Sequence, residues 1–129
     1  MKSAKEILDI INAAQGQPLN CSFGKINTAN IGIRTDVREL VVGDEFGNSL
    51  DSDTEEDLGG TCAVGYSDML WGDDDDIKTI QTMVDRSHAY DYAYSGTAHK
   101  YLIVGTGFEY GNDDDEVIIY NAEVLACLD

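Results

Sequence analysis

Three residues of this 129-residue chain have the types and the order needed for chemistry on a sugar that carries phosphates. Arg34 lies in the alternating segment NIGIRT, Thr61 begins the segment TCAVGY, and Glu116 directly precedes the apolar run VIIY. An arginine can hold phosphate groups with its planar fork of donors. A glutamate at the start of a strand can stabilise the positive charge that develops on a sugar when its leaving group departs. The three residues predict a shared cleft if the strands that carry them are neighbours.

The elements that would position these residues are short strands. Residues 101–104 and 117–120 are apolar runs rich in β-branched and aromatic residues, and an acidic loop over 108–116 separates them. In the earlier segment, alternation places Ile31 and Ile33 on one face and Arg34 on the other, beside a glycine that leaves room for a ligand. A second interpretation of this segment is an edge strand on which Arg34 is solvated.

Two helices accompany the strands. Ser3 and Glu6 form a capping-box pattern before a helix that should end near residue 15. Residues 73–76 are four aspartates that favour a helix start, and this second helix should run to about Tyr94. Its predicted core positions are Ile77, Ile80, Val84 and His88. The chain is therefore predicted to be one α+β domain over residues 1–129, with two helices on about six mostly antiparallel strands in one or two small sheets.

The formal net charge of −17, from 25 acidic and 8 basic residues, restricts the partners of this domain. Direct binding to nucleic acid or to an anionic membrane is disfavoured, because both require lysine and arginine to meet phosphate. The segments 44–57, 68–76 and 109–116 hold seven, five and five acids, which is 17 of the 25. Such crowding costs stability by repulsion, and it suits a basic protein surface as partner.

The cysteines and the N-terminus predict where the protein works. Cys21, Cys62 and Cys127 are widely spaced and form no CxxC pair, which favours free thiols in a reducing compartment. The first 15 residues have acids within their apolar pattern, unlike a signal peptide or a membrane span. We expect a cytoplasmic protein, in a bacterial cell or an infected host cell.

No metal site is predicted from the spacing of potential ligands. His88 and His99 have no suitably spaced partner residue, and His88 is better explained as a core or boundary residue. Residues 51–59 resemble the start of a calcium-binding loop, but Glu56 stands where the sharp turn of that loop needs glycine.

Three segments together resemble the Arg–Ser/Thr–Glu layout of the ADP-ribosyltransferases: IGIRTDVRELVVGDEF, LGGTCAVGYSD and HKYLIVGTGFEYGNDDDEVIIYNAEVL. The resemblance implies NAD as substrate, with Arg34 on its phosphates, Thr61 supporting the site and Tyr66 as a further contact. It also implies that Glu116 contacts the nicotinamide ribose and that Asp114 orients the acceptor, which would be a protein or another molecule.

Two other functions stay open at this point. The acidic loops suit a small interaction protein or inhibitor that occupies a basic groove, as nucleic-acid mimics and phage-encoded anti-defence proteins do. In the third alternative the acidic loops are merely solvated and Glu116 only ends a turn. Gly60 and Cys62 stand where the transferase layout has serines, so a domain that keeps that fold without the activity also fits the sequence.

Overall fold

The computed structural model describes residues 1–16, 31–48, 62–68, 70, 72–88, 98–105, 107–110 and 117–129. The helices and strands within these residues are α1 (Ala4–Ala14), β1 (Ile31–Asp36), β2 (Glu45–Asn48), β3 (Cys62–Asp68), α2 (Asp76–Ser87), β4 (His99–Val104), β5 (Gly107–Tyr110) and β6 (Val117–Cys127). All the strand pairs are antiparallel, and the strand order is β2-β6-β4-β1-β3, with β5 also paired to β6. The predicted α+β class is confirmed. The described strands belong to one sheet, and the number of strands in the whole chain stays a prediction.

The frame of the sheet is one long hairpin made by β4, β5 and β6. Val104 pairs with Glu123, Gly107 with Tyr120 and Tyr110 with Val117, so β5 continues β4 along β6 in the same register. The sequence prediction of a loop from residue 108 was therefore wrong, because residues 108–110 are strand. Strand β6 extends beyond the apolar run 117–120 and continues to Cys127.

Helix α1 has the predicted boundaries. The Ser3 hydroxyl accepts a hydrogen bond from the Glu6 amide at 3.2 Å, and the Glu6 carboxylate accepts one from the Ser3 amide at 3.4 Å. Gly16, at φ 83°, follows the helix, and such a conformation strains any residue with a Cβ. The capping box and the end near residue 15 are confirmed.

Helix α2 differs from its prediction at both its buried face and its end. Ile80 and Val84 are buried as expected, but Ile77 is 44% exposed and His88 is exposed. The inward position of the first turn belongs to Asp76, whose carboxylate accepts a hydrogen bond from the Gly72 amide at 3.0 Å. Because a helix face repeats every 3.6 residues, an inward Asp76 turns the next residue towards solvent. The helix ends at Ser87, well before the predicted end.

The two faces of the sheet have different cores. The first core joins both helices to one face and contains Ile7, Ile11, Ile31, Ile33, Ile80, Met83, Leu102, Val104 and Leu128. The second, smaller core contains Tyr101, Ile103, Ala122 and Val124, with Leu40 packed against it. This division follows the alternation predicted for β1. Ile31 and Ile33 belong to the core on the helix-covered face, whereas Arg34 is in register with Tyr101, which belongs to the core on the opposite face. Within the described ranges, no helix has the length and apolar character to cross a bilayer.

Candidate functional site

Arg34 lies in the middle of the sheet rather than at its edge. Strand β1 is paired with β3 on one side and β4 on the other, and the Arg34 side chain has no exposed surface. Its Nε donates to Asp36 Oδ2 at 3.0 Å, and its Nη2 lies 3.0 Å from the same oxygen. The interpretation of a solvated arginine on an edge strand was therefore wrong. Arg34 belongs to an internal ion pair.

The Asp36 carboxylate is the centre of this internal cluster. Besides Arg34, it accepts a hydrogen bond from the Arg38 amide at 2.9 Å, and Arg38 Nη2 lies 3.5 Å from its Oδ2. Removing charges from water is costly, and such a pair is tolerated only when its geometry and hydrogen bonds are good. The cluster thus joins the end of β1 to the beginning of the loop that follows.

The remaining predicted site residues are only partly placed. Tyr66 lies on β3 in register with Ile33 of β1, and the segment after Thr61 begins β3 with Cys62 in register with Asp36. Thr61, Asp114 and Glu116 themselves lie outside the described residues, so their predicted roles stay predictions.

The registers do show how far apart the relevant strand ends are. The start of β3 lies beside the end of β1, next to Arg34. Arg34 is in register with Tyr101, whereas Val117, where β6 begins, is in register with Tyr110 at the far end of the hairpin. The nine residue-to-residue steps from Tyr101 to Tyr110 span about 30 Å if extended. The sheet therefore brings Arg34 beside the start of β3 but not beside the start of β6.

A second polar cluster, which the sequence did not predict, lies where β4 begins and β6 ends. The Asp129 carboxylate faces His99 Nδ1 at 3.1 Å and the Cys127 sulfur at 3.3 Å, and it accepts the Lys100 amide at 3.3 Å. The pairing of Tyr101 with Cys127 creates this cluster from residues about 30 positions apart. No local spacing in the sequence indicates such a contact.

The pKa values in this second cluster oppose nucleophilic chemistry. Burial raises the pKa of the Cys127 thiol, and its hydrogen bond to Asp129 raises it further. Burial also acts to raise the pKa of Asp129, but hydrogen bonds from Cys127, the Lys100 amide and His99 outweigh this and leave that pKa below its ordinary value. A reactive thiol needs a lowered pKa, so the raised pKa makes the exposed Cys127 thiol a weaker nucleophile than an ordinary cysteine at the same pH.

Lys100 is a buried cation on the helix-covered face. Its Nζ donates to Thr35 Oγ1 at 2.7 Å and to the Ser87 carbonyl at 2.6 Å. Ser87 ends α2, whose last carbonyls carry partial negative charge and have no partner within the helix. Lys100 thus ties α2 to β1 and β4.

Neither cluster has the ligand set of a metal centre: across the described stretches, no group of three or more His, Cys, Asp and Glu residues is arranged to hold a metal ion. No protein-family model, curated protein or solved structure matches this chain.

The first prediction concerns the internal ion pair. Changing Asp36→Asn should lower the free energy of unfolding by about 3–5 kcal/mol, because it leaves the Arg34 charge buried without its carboxylate. The control is Asp9→Asn, which breaks the exposed Lys5–Asp9 pair and should cost less than about 1 kcal/mol. Urea unfolding measures both variants. Equal effects would contradict a buried pair.

The second prediction concerns the pH dependence of the His99–Asp129–Cys127 cluster. Since the pKa of Asp129 is lowered by folding, its contribution to stability is present above its unfolded pKa and is lost as pH falls through the folded value. Asp129→Asn should remove this acid-dependent loss. It should also lower the pKa of Cys127, so that iodoacetamide labels this thiol several-fold faster at pH 8.

Peptide mass mapping distinguishes Cys127 from the other two cysteines in this assay. Asp9→Asn is again the control, because it removes an acid without touching the cluster. Unchanged or slower labelling of Cys127 in the Asp129→Asn variant would contradict the hydrogen bond as the cause of the raised thiol pKa.

Proposed function

We propose that this protein is a small acidic interaction protein that binds a basic surface of another protein without catalysis. The observation that carries the proposal is how the fold distributes charge. Among the described residues, folding buries two of the eight basic residues, Arg34 and Lys100, and three of the 25 acids, Asp36, Asp76 and Glu123. Burial therefore removes almost none of the net charge of −17, and at most six basic residues can face solvent. A surface with so few cations steers basic partners towards it and repels nucleic acid.

The start of α2 supports the proposal locally. Asp73, Asp74 and Asp75 are exposed, and the Asp75 side chain makes no capping hydrogen bond although Asp75 occupies the N-cap position. Asp73 holds the turn through a 3.0 Å hydrogen bond from the Asp75 amide. These carboxylates interact favourably with the positive end of the helix dipole. Because they are exposed, their negative charge is also accessible to a cationic partner.

The test of this function is the salt dependence of partner binding. A partner retained from cell extract by the immobilised protein at about 0.1 M NaCl should be released at about 1 M, because the Debye length falls from about 10 to about 3 Å. The double variant Asp74→Asn/Asp75→Asn should bind more weakly. Lys78→Gln, a neutralisation on the same helix with the opposite sign, should not. A partner held equally well at both salt concentrations would exclude this function.

A second candidate is an ADP-ribosyltransferase-like enzyme that uses NAD. The observation that favours it is that β1 and β3 are neighbours, as the Arg–Ser/Thr part of that layout requires. In this proposal Arg34 positions the NAD phosphates with Thr61 and Tyr66, which requires Arg34 to leave its buried pair with Asp36. Glu116 stabilises the ribose cation as the bond to nicotinamide breaks, and Asp114 orients the acceptor that then bonds to the ribose.

This candidate places a geometric demand on the hairpin. Glu116 is bonded to Val117, which pairs with Tyr110 about 30 Å along the strands from Tyr101 and Arg34, so the hairpin itself would have to rearrange for Glu116 and Arg34 to contact one NAD molecule. For that reason we rank the enzymatic candidate second. A domain that keeps the Arg–Ser/Thr–Glu layout without the activity is compatible with the first proposal.

The enzymatic candidate has its own assay. Incubation with NAD and cell extract should release nicotinamide and label an acceptor, and Glu116→Gln should abolish both. Glu109→Gln is the matched control, since it neutralises another acid of the same hairpin. Absence of NAD cleavage and of labelling, or full activity in the Glu116→Gln protein, would overturn this candidate.

A further inference from the structure

A turn between β1 and β2 exposes two adjacent valines. Val41 is 65% and Val42 67% exposed, and these are the most exposed large apolar side chains in the described part of the chain. Single apolar residues on a surface need no explanation. Two neighbours, both about two-thirds exposed on one turn, form an apolar projection, which we call the valine tip (Val41 and Val42).

The backbone of this turn is fixed on all sides. The Asp44 amide donates to the Val41 carbonyl at 3.0 Å, and the Val41 amide donates to Asp44 Oδ2 at 2.9 Å. Gly43 has φ 95°, the conformation that the third residue of a type II turn requires. Its amide donates to the Val124 carbonyl, and the Val124 amide donates to the Asp44 carbonyl, both at 2.9 Å. The turn is thereby fastened to β6.

The residues before the turn are fixed by a buried tyrosine. The Tyr101 hydroxyl donates to the Arg38 carbonyl at 2.7 Å and accepts from the Leu40 amide at 2.9 Å, and Leu40 packs on the second core. Burial raises the pKa of this hydroxyl, so it keeps its donor proton throughout the physiological pH range. Asp36 holds the Arg38 amide from the other side.

The charge around the valine tip is negative. Glu39 and Glu45, which flank the turn, are both exposed. A projection that is already rigid loses little conformational entropy on binding. In an interface an apolar centre is bordered by a polar rim, and Glu39 and Glu45 would belong to that rim.

We infer that the valine tip is the apolar anchor by which this protein docks into a pocket of its protein partner, and that lysine or arginine side chains border that pocket. The inference rests on the proposed binding function and adds where the contact is made. The acidic surface attracts the partner, while burial of Val41 and Val42 holds it. Attraction by charge sets the salt dependence, and burial of apolar surface does not.

The experiment uses the partner that salt releases from the immobilised protein, purified and titrated against the full chain. Val41→Thr/Val42→Thr keeps the β-branched shape and removes apolar surface, so it should weaken binding at least tenfold. The slope of log Kd against log salt concentration should stay that of the unchanged protein. Ile77→Thr, on the exposed side of α2, is the matched control and should bind normally.

Two further measurements separate the possible outcomes. Both threonine variants should keep the melting temperature of the unchanged protein, and both should bind poly-L-lysine, a probe of charge alone, as the unchanged protein does. Unaltered affinity of the valine variant for the partner, or an equal loss in the Ile77→Thr protein, would overturn the valine tip and leave the acidic binding function standing. If no salt-released partner exists, both proposals fall.

Discussion

The ion pair between Asp36 and Arg34 is the constraint on which the path of the chain after β1 depends. The Asp36 carboxylate balances the charge of Arg34 inside the sheet and also accepts a hydrogen bond from the Arg38 amide, so one buried group joins the centre of the sheet to the loop after β1. A buried ion pair is weak evidence for stability, because apolar side chains of similar size would serve as well or better. Its contribution here is geometric: together with the Tyr101 hydroxyl, it determines the path of the chain towards the valine tip.

Excess negative charge is the second constraint on this molecule. Self-repulsion opposes folding, and the interior contributes to the balance by pairing its cations locally: Arg34 with Asp36, and Lys100 with the end of α2. The Arg34–Asp36 pair removes one charge of each sign from contact with solvent, so it leaves the negative excess of the chain unchanged.

Some elements were predictable because their causes are local. The capping box of Ser3 and Glu6, the glycine after α1 and the alternation of Ile31 and Ile33 each depend on residues within a few positions of one another. The prediction that Ile77 is buried was wrong because the apolar periodicity assigned the buried face of α2 to the wrong residue of its first turn. Asp76 occupies the inward position instead, so Ile77 faces solvent. An aspartate that accepts a backbone amide can be buried, and apolar periodicity alone does not reveal this.

The sequence by itself determined the α+β class, the start of α1 and the net negative charge, since these follow from local spacing and composition. Only the tertiary structure decided that Arg34 is interior, that His99 meets Asp129, and that Val41 and Val42 project from a fixed turn. Each of these depends on strand order and register, and a one-residue change of register would move every side chain of a strand to the opposite face. Pairing between distant segments sets that register, and one segment read alone does not contain it.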